Sequence, residues 1–348
     1  MKVRVLGTDR STEWLSELSA LPGSDTYFLP EYHRAHELNG DGSARAFVAS
    51  DEHNTLFYPF MLRKITQAGG IPIEDDIFDI ETVYGYSGPL CSTGDPAFVS
   101  AAWSEFSAWC GAQGVIAEFI RFNPLSENHK AIGDACNVGL NRETVVLRLD
   151  AADLEATYGS IHRNMIRKAT KAGLVAEQGS LDEDLSGFRT LYSDTMRRAG
   201  ANAYYFFSDA YFETLCDAGG SSVVLFKVMS ADKMIAGALF LVYADRLHYH
   251  LAGSDPAFRG LAANNLLLHT AAEWGRDRGM RWLHLGGGRR PAGDDSLFKF
   301  KASISRRRLQ FYTGTRIHDL AGYESLCSQA MIASGRSSGA GYFLRYRL

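Results

Sequence analysis

A weak internal duplication constrains this chain more than any other feature. TYFLPEYHRAHEL (26–38) reads as a tight aromatic turn entering a helix, and YYFFSDAYFETL (204–215) repeats it. Tyr27-Phe28 reappears as Tyr205-Phe206, 178 residues later. Two apolar runs around a polar turn follow in each half: ARAFVAS, DEHN, TLFYPFML, and then SVVLFKVM, SADK, MIAGALFLVY. Their β-branched and aromatic content predicts two β-hairpins. Next comes an aromatic strand ending in glycine, YGYSGPL with Gly88 and HYHLAGS with Gly253. A helix follows, AFVSAAWSEFSAWCGAQG or NNLLLHTAAEWGRDRG, with Gly114 and Gly279 where a left-handed cap belongs. Each of these glycine pairs is 165 residues apart, so the halves should superpose with Gly88 over Gly253 and Gly114 over Gly279. The change of offset asks for 13 extra residues in the first half, and RKITQAGGIPIEDDIFDIETV (63–83) is the place for them. VIAEFIRF and RWLHLGG close the two units.

Helix, hairpin, strand, helix, strand, twice over, predicts an α/β fold. Each unit should be a mixed, mostly antiparallel sheet with helices on both faces. A length of 348 residues suits two such domains. The expected boundaries are 1–149, where the strand TVVLRL ends, 150–314 for the second domain, and 315–348 for a tail packing back on the first domain. A chain of this size folds without disulfides or metals. Cys91, Cys110, Cys136, Cys216 and Cys327 lack framework spacing and read as reduced thiols. None sits in a Gly- or His-rich setting, which disfavours a catalytic cysteine. The acidic run IEDDIFDIE (73–81) reads as a solvated loop.

A net charge of −4 excludes a globally basic nucleic-acid binder but leaves room for a local basic patch. No apolar run reaches the roughly 18–20 residues of a membrane span. MKVRVLGTDRSTEWL has no signal-peptide core. The expectation is a cytoplasmic protein without stable membrane insertion.

Three segments can carry chemistry. SIHRNMIRKATKAG (160–173) predicts a helix ending at Gly173, with Arg163, Arg167 and Lys171 along one face and Ile161 and Ile166 free to face the core. That face is either solvated or an anion site for phosphates. LFKFKASISRRRLQFYTGTR (297–316) carries Lys299, Lys301, Arg306, Arg307, Arg308 and Arg316 without one acid. Phe298 and Phe300 alternate with Lys299 and Lys301 as strand faces do. The Gly-rich loop LGGGRRPAGDDS (285–296) precedes it. It is no P-loop, and Pro291 stands where the dinucleotide fingerprint needs a glycine. Strand RLHYHLAG puts Leu247, Tyr249 and Leu251 on one face and His248 and His250 on the other. Those histidines suit a half-buried pair, a base or substrate contact, or, with no third ligand nearby, least of all a metal.

These residues resemble a known family. The duplicated unit resembles the GNAT acyltransferase fold, and the tandem resembles the Fem-type (FemABX, FemAB-like) aminoacyl- and acyltransferases. YGYSGP (84–89) with FIRFNPL (119–125) is similar to that family's first-domain signature. RNMIRKATKAG (163–173) is similar to the helix opening its second domain, and TMRRAGANAYYF (195–206) to its Thr-x-x-Arg-x-Gly segment. LGGG (285–288) followed by LFKFKASI (297–304) resembles its Gly-Gly loop and Phe-Lys strand. Two departures stand out. Arg259-Gly260-Leu261-Ala262-Ala263-Asn264 has Ala262 and Asn264 where the coenzyme A cradle carries glycines, and no heptads supply the coiled-coil arm of some members.

The resemblance implies transfer of an acyl or aminoacyl group from an activated ester to an amine. Carried over, Phe300 and Lys301 are catalytic, with Lys301 stabilising the developing oxyanion. Arg163, Arg167 and Arg198 would hold phosphates, Tyr204, Tyr205 and His250 would line the acceptor channel, and Lys299 would bind substrate. No metal or bound cofactor is implied; the cosubstrate is aminoacyl-tRNA, or acyl-CoA. The leading expectation is an aminoacyltransferase acting on a nucleotide- or lipid-linked, peptidoglycan-type envelope precursor. The alternatives are an acyl-CoA-dependent N-acyltransferase for an amino sugar in polysaccharide synthesis, and a non-catalytic binder of a peptide or nucleotide-sugar. Oligomeric state and the acceptor amine are not written in these residues.

Overall fold

In the first unit, Met1–Asn141 with Phe311–Leu348, β1 (Lys2–Leu6) leads through α1 (Ser11–Ser19) and α2 (Pro30–Leu38) into a hairpin. Its strands are β2 (Ser43–Ser50) and β3 (Thr55–Lys64), as the apolar runs predict. The computed structural model describes residues 1–217, 223–289, 295–334 and 342–347. β4 (Phe78–Glu81) pairs antiparallel with β3 and parallel with β5 (Val115–Arg121), the crossover being α3 (Pro96–Ala112). Phe47, Tyr58, Trp103 and Phe106 fill the core beneath α3.

Two expectations are corrected here. YGYSGPL is not the third sheet strand; it runs irregularly, with Leu90–Cys91 pairing with β3 and Ser87 making a single parallel bridge to Phe122. The strand lies instead in the second half of the acidic run: Glu74, Asp75 and Asp76 are exposed as a solvated loop would be, but Asp79 is wholly buried and Glu81 nearly so. Arg63 donates from Nε to Asp79 at 2.8 Å and pairs with Glu81, which Arg121 also binds. Arg347 and Tyr346 complete the shell of Asp79. The neutralising arginines are distant in sequence, so the acids alone looked solvated.

β6 (Asn137–Arg148) enters the second unit, Arg142–Gln310. Then come α4 (Leu154–Thr157), α5 (Ser160–Lys171), β7 (Val175–Gln178), α6 (Leu181–Arg198) and α7 (Asp209–Asp217). The hairpin β8 (Val223–Ser230) and β9 (Lys233–Tyr243) is followed by β10 (Arg246–Ser254), α8 (Ala263–Asp277), β11 (Trp282–Gly286) and α9 (Ser296–Ile304). The chain then returns to the first unit as β12 (Arg308–Ile317) and α10 (Leu320–Ser334). Strand order is β1-β2-β3-β4-β5-β12 in the first unit and β6-β11-β10-β9-β8-β7 in the second. Both sheets are antiparallel except for β4 with β5 and β10 with β11. Among the described residues no helix is long and apolar enough to cross a membrane.

The divisions fall at Asn141/Arg142 and Gln310/Phe311, not at 149 and 314. β6, expected to end the first domain, pairs with β11, because Val145 and Leu147 belong to the second core beside Leu247, Leu267 and Leu283. β12 pairs with β5 in the first unit. Within that unit Tyr323, Leu326 and Leu344 pack on Ile65 and Ile116.

Gly114 and Gly279 match: each follows its helix with left-handed φ, +69° and +73°. Gly88 and Gly253 do not. Gly88 takes φ +91° outside any strand, whereas Gly253 lies inside β10 opposite Gly237. A Cβ on Gly253 would stand 2.5 Å from the backbone of Leu191 and Tyr192 in α6. Gly253→Ala should therefore push α6 off the sheet and destabilise the protein by about 1–3 kcal/mol in chemical denaturation. An unchanged midpoint would mean that α6 shifts freely.

Candidate active site

The two crossover helices begin differently. α3 is N-capped by Asp95, whose carboxylate accepts from Ala97 N, with Pro96 at the first position. That start is filled. α8 has no side-chain cap and is entered through Ala262 at φ +59°. Holding an alanine left-handed costs about 1–2 kcal/mol, a strain typical of functional turns. The turn that the glycine pattern would make is thus present without its glycines.

Ala262, Ala263, Asn264 and Asn265 form one wall of a pocket of about 230 Å³. Arg198, Arg259 and Phe300 line the rest, with Ser254–Pro256 at the end of β10. First-turn N–H groups and the helix dipole favour an anion here, and two guanidinium groups add to this. Arg198 is held in place by donating to Thr195 Oγ1 at 2.9 Å and to the Ser254 carbonyl. Behind the wall, Asn265 donates to His162 Nδ1 at 2.9 Å. Burial and nearby His269 push His162 down to about 3, so it stays a neutral acceptor. His162 shares the inward face of α5 with Ile166 and Ala169, a spacing that could have identified it.

Lys301 and Phe300 lie on a helix, which corrects the strand expectation. Asp295 caps α9 through Leu297 N and Phe298 N. Four alternating residues fit either period, and the Asp-Ser start was the deciding signal. On a helix Lys299 and Lys301 separate: Lys299 is exposed, Lys301 only 7% so. β10 and β11 pair only from Arg246 to His248, then diverge. Lys301 fills that wedge, its Nζ 2.7 Å from the Gly287 carbonyl and 5.7 Å from the Tyr249 ring centre. Burial lowers its ammonium to about 7; Asp295 opposes the shift and Arg142 adds to it. Residues 290–294, including Pro291 and Asp294 of the Gly-rich loop, lie outside the described residues.

A bulge in β10 re-aims the histidines. Leu239 pairs with Leu251 and Phe240 with Tyr249, leaving His250 as the extra residue. Tyr249 stays on the core face, but Leu251 shifts to the side of Gly253, contrary to simple alternation. His250 meets the buried Tyr211 hydroxyl at 2.8 Å. His248 packs edge-on against His284, which bonds Thr144 at 3.0 Å. Tyr204 is 40% exposed, and the Tyr205 carbonyl accepts from Tyr192 at 2.7 Å. Of the phosphate-binding arginines expected on α5, Arg163 donates to the Tyr158 and Glu155 carbonyls, closing α4. Arg167 and Lys171 are exposed, and so is Ile161, which does not face the core. Arg198 and Phe300 therefore share the pocket and Lys301 the adjoining wedge, while Arg163 and Arg167 do not line the pocket.

Burial raises the Cys216 thiol to about 12, far from a reactive thiolate. Among the described residues no group of three or more His, Cys, Asp or Glu is placed to hold a metal ion.

Residues 160–300 match the acetyltransferase (GNAT) domain family. The fold is similar to a solved structure of FemX at 16% identity and a TM-score of 0.68, over 93% of this chain and 99% of that one. It is also similar to L-PGS from Bacillus licheniformis, at 14% identity and a TM-score of 0.60, over 95% and 98%. A tandem GNAT protein from the clavulanic acid biosynthesis pathway matches at 11% identity and 0.51, over 91% and 99%. No curated protein sequence matches.

Proposed function

With residues 160–300 forming a GNAT acetyltransferase domain, we propose that the protein is an amide-forming aminoacyltransferase. It takes the aminoacyl group of aminoacyl-tRNA and passes it to an amine of a peptidoglycan-type or related envelope precursor. The neutral amine attacks the ester carbonyl, the C–N bond forms, and the ester C–O bond breaks. The ribose hydroxyl leaves with a proton, and the amide remains. The observation that carries this reading is the buried Lys301 ammonium in the β10–β11 wedge, next to an anion-receptive helix start. A cation there stabilises the oxyanion of the tetrahedral intermediate. Arg198, Arg259 and the start of α8 hold a donor phosphate, and Phe300 walls the pocket against water. Tyr204, Tyr205 and the Tyr211–His250 pair face the acceptor, and exposed Arg167 and Lys299 contact substrate phosphates.

The pocket is small, about 230 Å³ against roughly 300–1,000 Å³ for drug-sized ligands. It suits one phosphate and its neighbour better than a whole coenzyme. The left-handed Ala262 is the observation that favours the second reading, an acyl-CoA-dependent N-acyltransferase, because it keeps the phosphate-binding turn. Side chains at Ala262 and Asn264 keep a pyrophosphate from the backbone, and each lost N–H bond removes about 0.5–1.5 kcal/mol. Calorimetric titration with acetyl-CoA should show binding weaker than the low micromolar range, while labelled aminoacyl-tRNA yields labelled amide on an envelope precursor. Tight acetyl-CoA binding with no transfer from aminoacyl-tRNA would reverse the order. Inactivity with both donors would leave a binding protein.

A further inference from the structure

At the far end of the second sheet from the pocket, one indole is ringed by arginines. Trp282, half-buried, opens β11 between Arg148 on β6 and Arg246 on β10, its direct cross-strand neighbours. The Cζ atoms of Arg148, Arg281 and Arg307 lie 5.8, 5.4 and 5.7 Å from the ring centre, all within cation–π range. All three arginines are exposed. Asp150 binds Arg148 through two 2.7 Å bonds, and Asp245 lies 3.7 Å from Arg246. Among the described residues neither Arg281 nor Arg307 has a carboxylate at ion-pair distance. Cations brought together around one ring repel one another, and the indole offsets only part of that. Four arginines, Arg148, Arg246, Arg281 and Arg307, face two carboxylates, Asp150 and Asp245, so the cluster is net positive.

We propose that the surface of Trp282, Arg148, Arg281 and Arg307 docks the RNA body of the donor by its phosphates. This rests on the aminoacyl-tRNA reading and adds where the RNA outside its 3′ end binds. Reach supports the choice of partner. β10 runs from Arg246 beside Trp282 to Ser254 in the pocket, about 26 Å at the strand rise. A mononucleotide cannot touch both places; a polynucleotide can. Arginine forks suit phosphate oxygens, and guanidinium planes held over the indole can stack on an unpaired base. The contact needs no base-edge reading, so it accepts many tRNA sequences.

The test is binding of fluorescein-labelled, uncharged tRNA to the full chain by anisotropy, across a salt series. Arg281→Gln and Arg307→Gln should each reduce the slope of log K against log[salt] by about 1, Arg148→Gln, whose charge Asp150 already meets, by less, and the triple variant by about 2–3. Trp282→Leu should weaken binding with little change of slope. Transfer from an aminoacylated CCA trinucleotide, too short to reach this surface, should be unchanged in the triple variant, which also shows that the fold survives. If the triple variant binds tRNA as the wild type does, or if the wild type binds phosphatidylglycerol vesicles and not tRNA, this surface is not an RNA site. Failure of the wild type to transfer from either donor would instead overturn the aminoacyl-tRNA reading.

Discussion

Replacing Lys301 by methionine is expected to lower turnover about 10²–10³-fold, or 3–4 kcal/mol in the barrier, with Michaelis constants little changed. A cation that meets charge only as the oxyanion forms acts in the transition state, so its loss appears in turnover. Methionine keeps most of the length of the lysine and removes a buried ammonium, so the fold should persist. The pH dependence gives an independent check. Lys301 is held near 7, down from 10.5, because burial disfavours its charge. Its active, protonated form is therefore lost as pH rises through about 7, which predicts a falling limb of rate there. The limb should disappear in Lys301→Met. The same shift makes wild-type stability rise between about 7 and 10.5, where only the unfolded chain takes up the proton. Lys299→Met is the control: Lys299 is exposed, two residues away on the helix, and losing its phosphate contact should raise a Michaelis constant while leaving both limb and turnover intact. Retention of more than about a third of wild-type turnover in Lys301→Met, too small a loss for an oxyanion contact, would exclude the assigned role.

Arg63→Met is expected to destabilise the first unit by about 3–5 kcal/mol, the cost of removing one partner from a buried ion pair. The Arg63 side chain is 18% exposed, while Asp79 is 0% and Glu81 11% exposed. Arg347 still covers Asp79 and Arg121 still covers Glu81, which places the effect toward the lower end. Burial would raise the Glu81 carboxyl, but Arg121 and Arg63 outweigh it and bring it from 4.5 to about 2. That stabilisation is complete above about 4.5 and is lost as pH falls through about 2. Without Arg63 the acid loss should begin at higher pH. Urea denaturation at pH 7 and pH 4 measures both effects. A change below about 0.5 kcal/mol, as for an ordinary surface substitution, would mean the network is not needed for stability.

Much of the fold was legible because its signals are local. The hairpins follow from alternating apolar runs around DEHN and SADK, and both lie where those runs do. The ends of α3, α5 and α8 follow from Gly114, Gly173 and Gly279, all with positive φ. Arg198, Phe300 and Lys301 were visible as matches to Fem-type motifs, and the structure brings Arg198 and Phe300 to one pocket. Arg163 was visible too, but nothing nearby in sequence showed that the Tyr158 and Glu155 carbonyls occupy its guanidinium.

The sequence by itself determined the repeated order of hairpin, strand, helix and strand, because hydrophobic period and capping glycines act over a few residues. It also determined which residue types could stabilise a charge. Only the tertiary structure decided which sheet took β6 and β12, since Val145 and Leu147 are apolar enough for either core. Only there do Asp79 and Glu81 become interior, because their arginines arrive from β3, β5 and the C-terminus. The depressed Lys301 is decided there as well: the fold buries its amine and brings Arg142 near it, 159 residues away in the chain. Burial of charge depends on partners far away in sequence, and no local pattern records them.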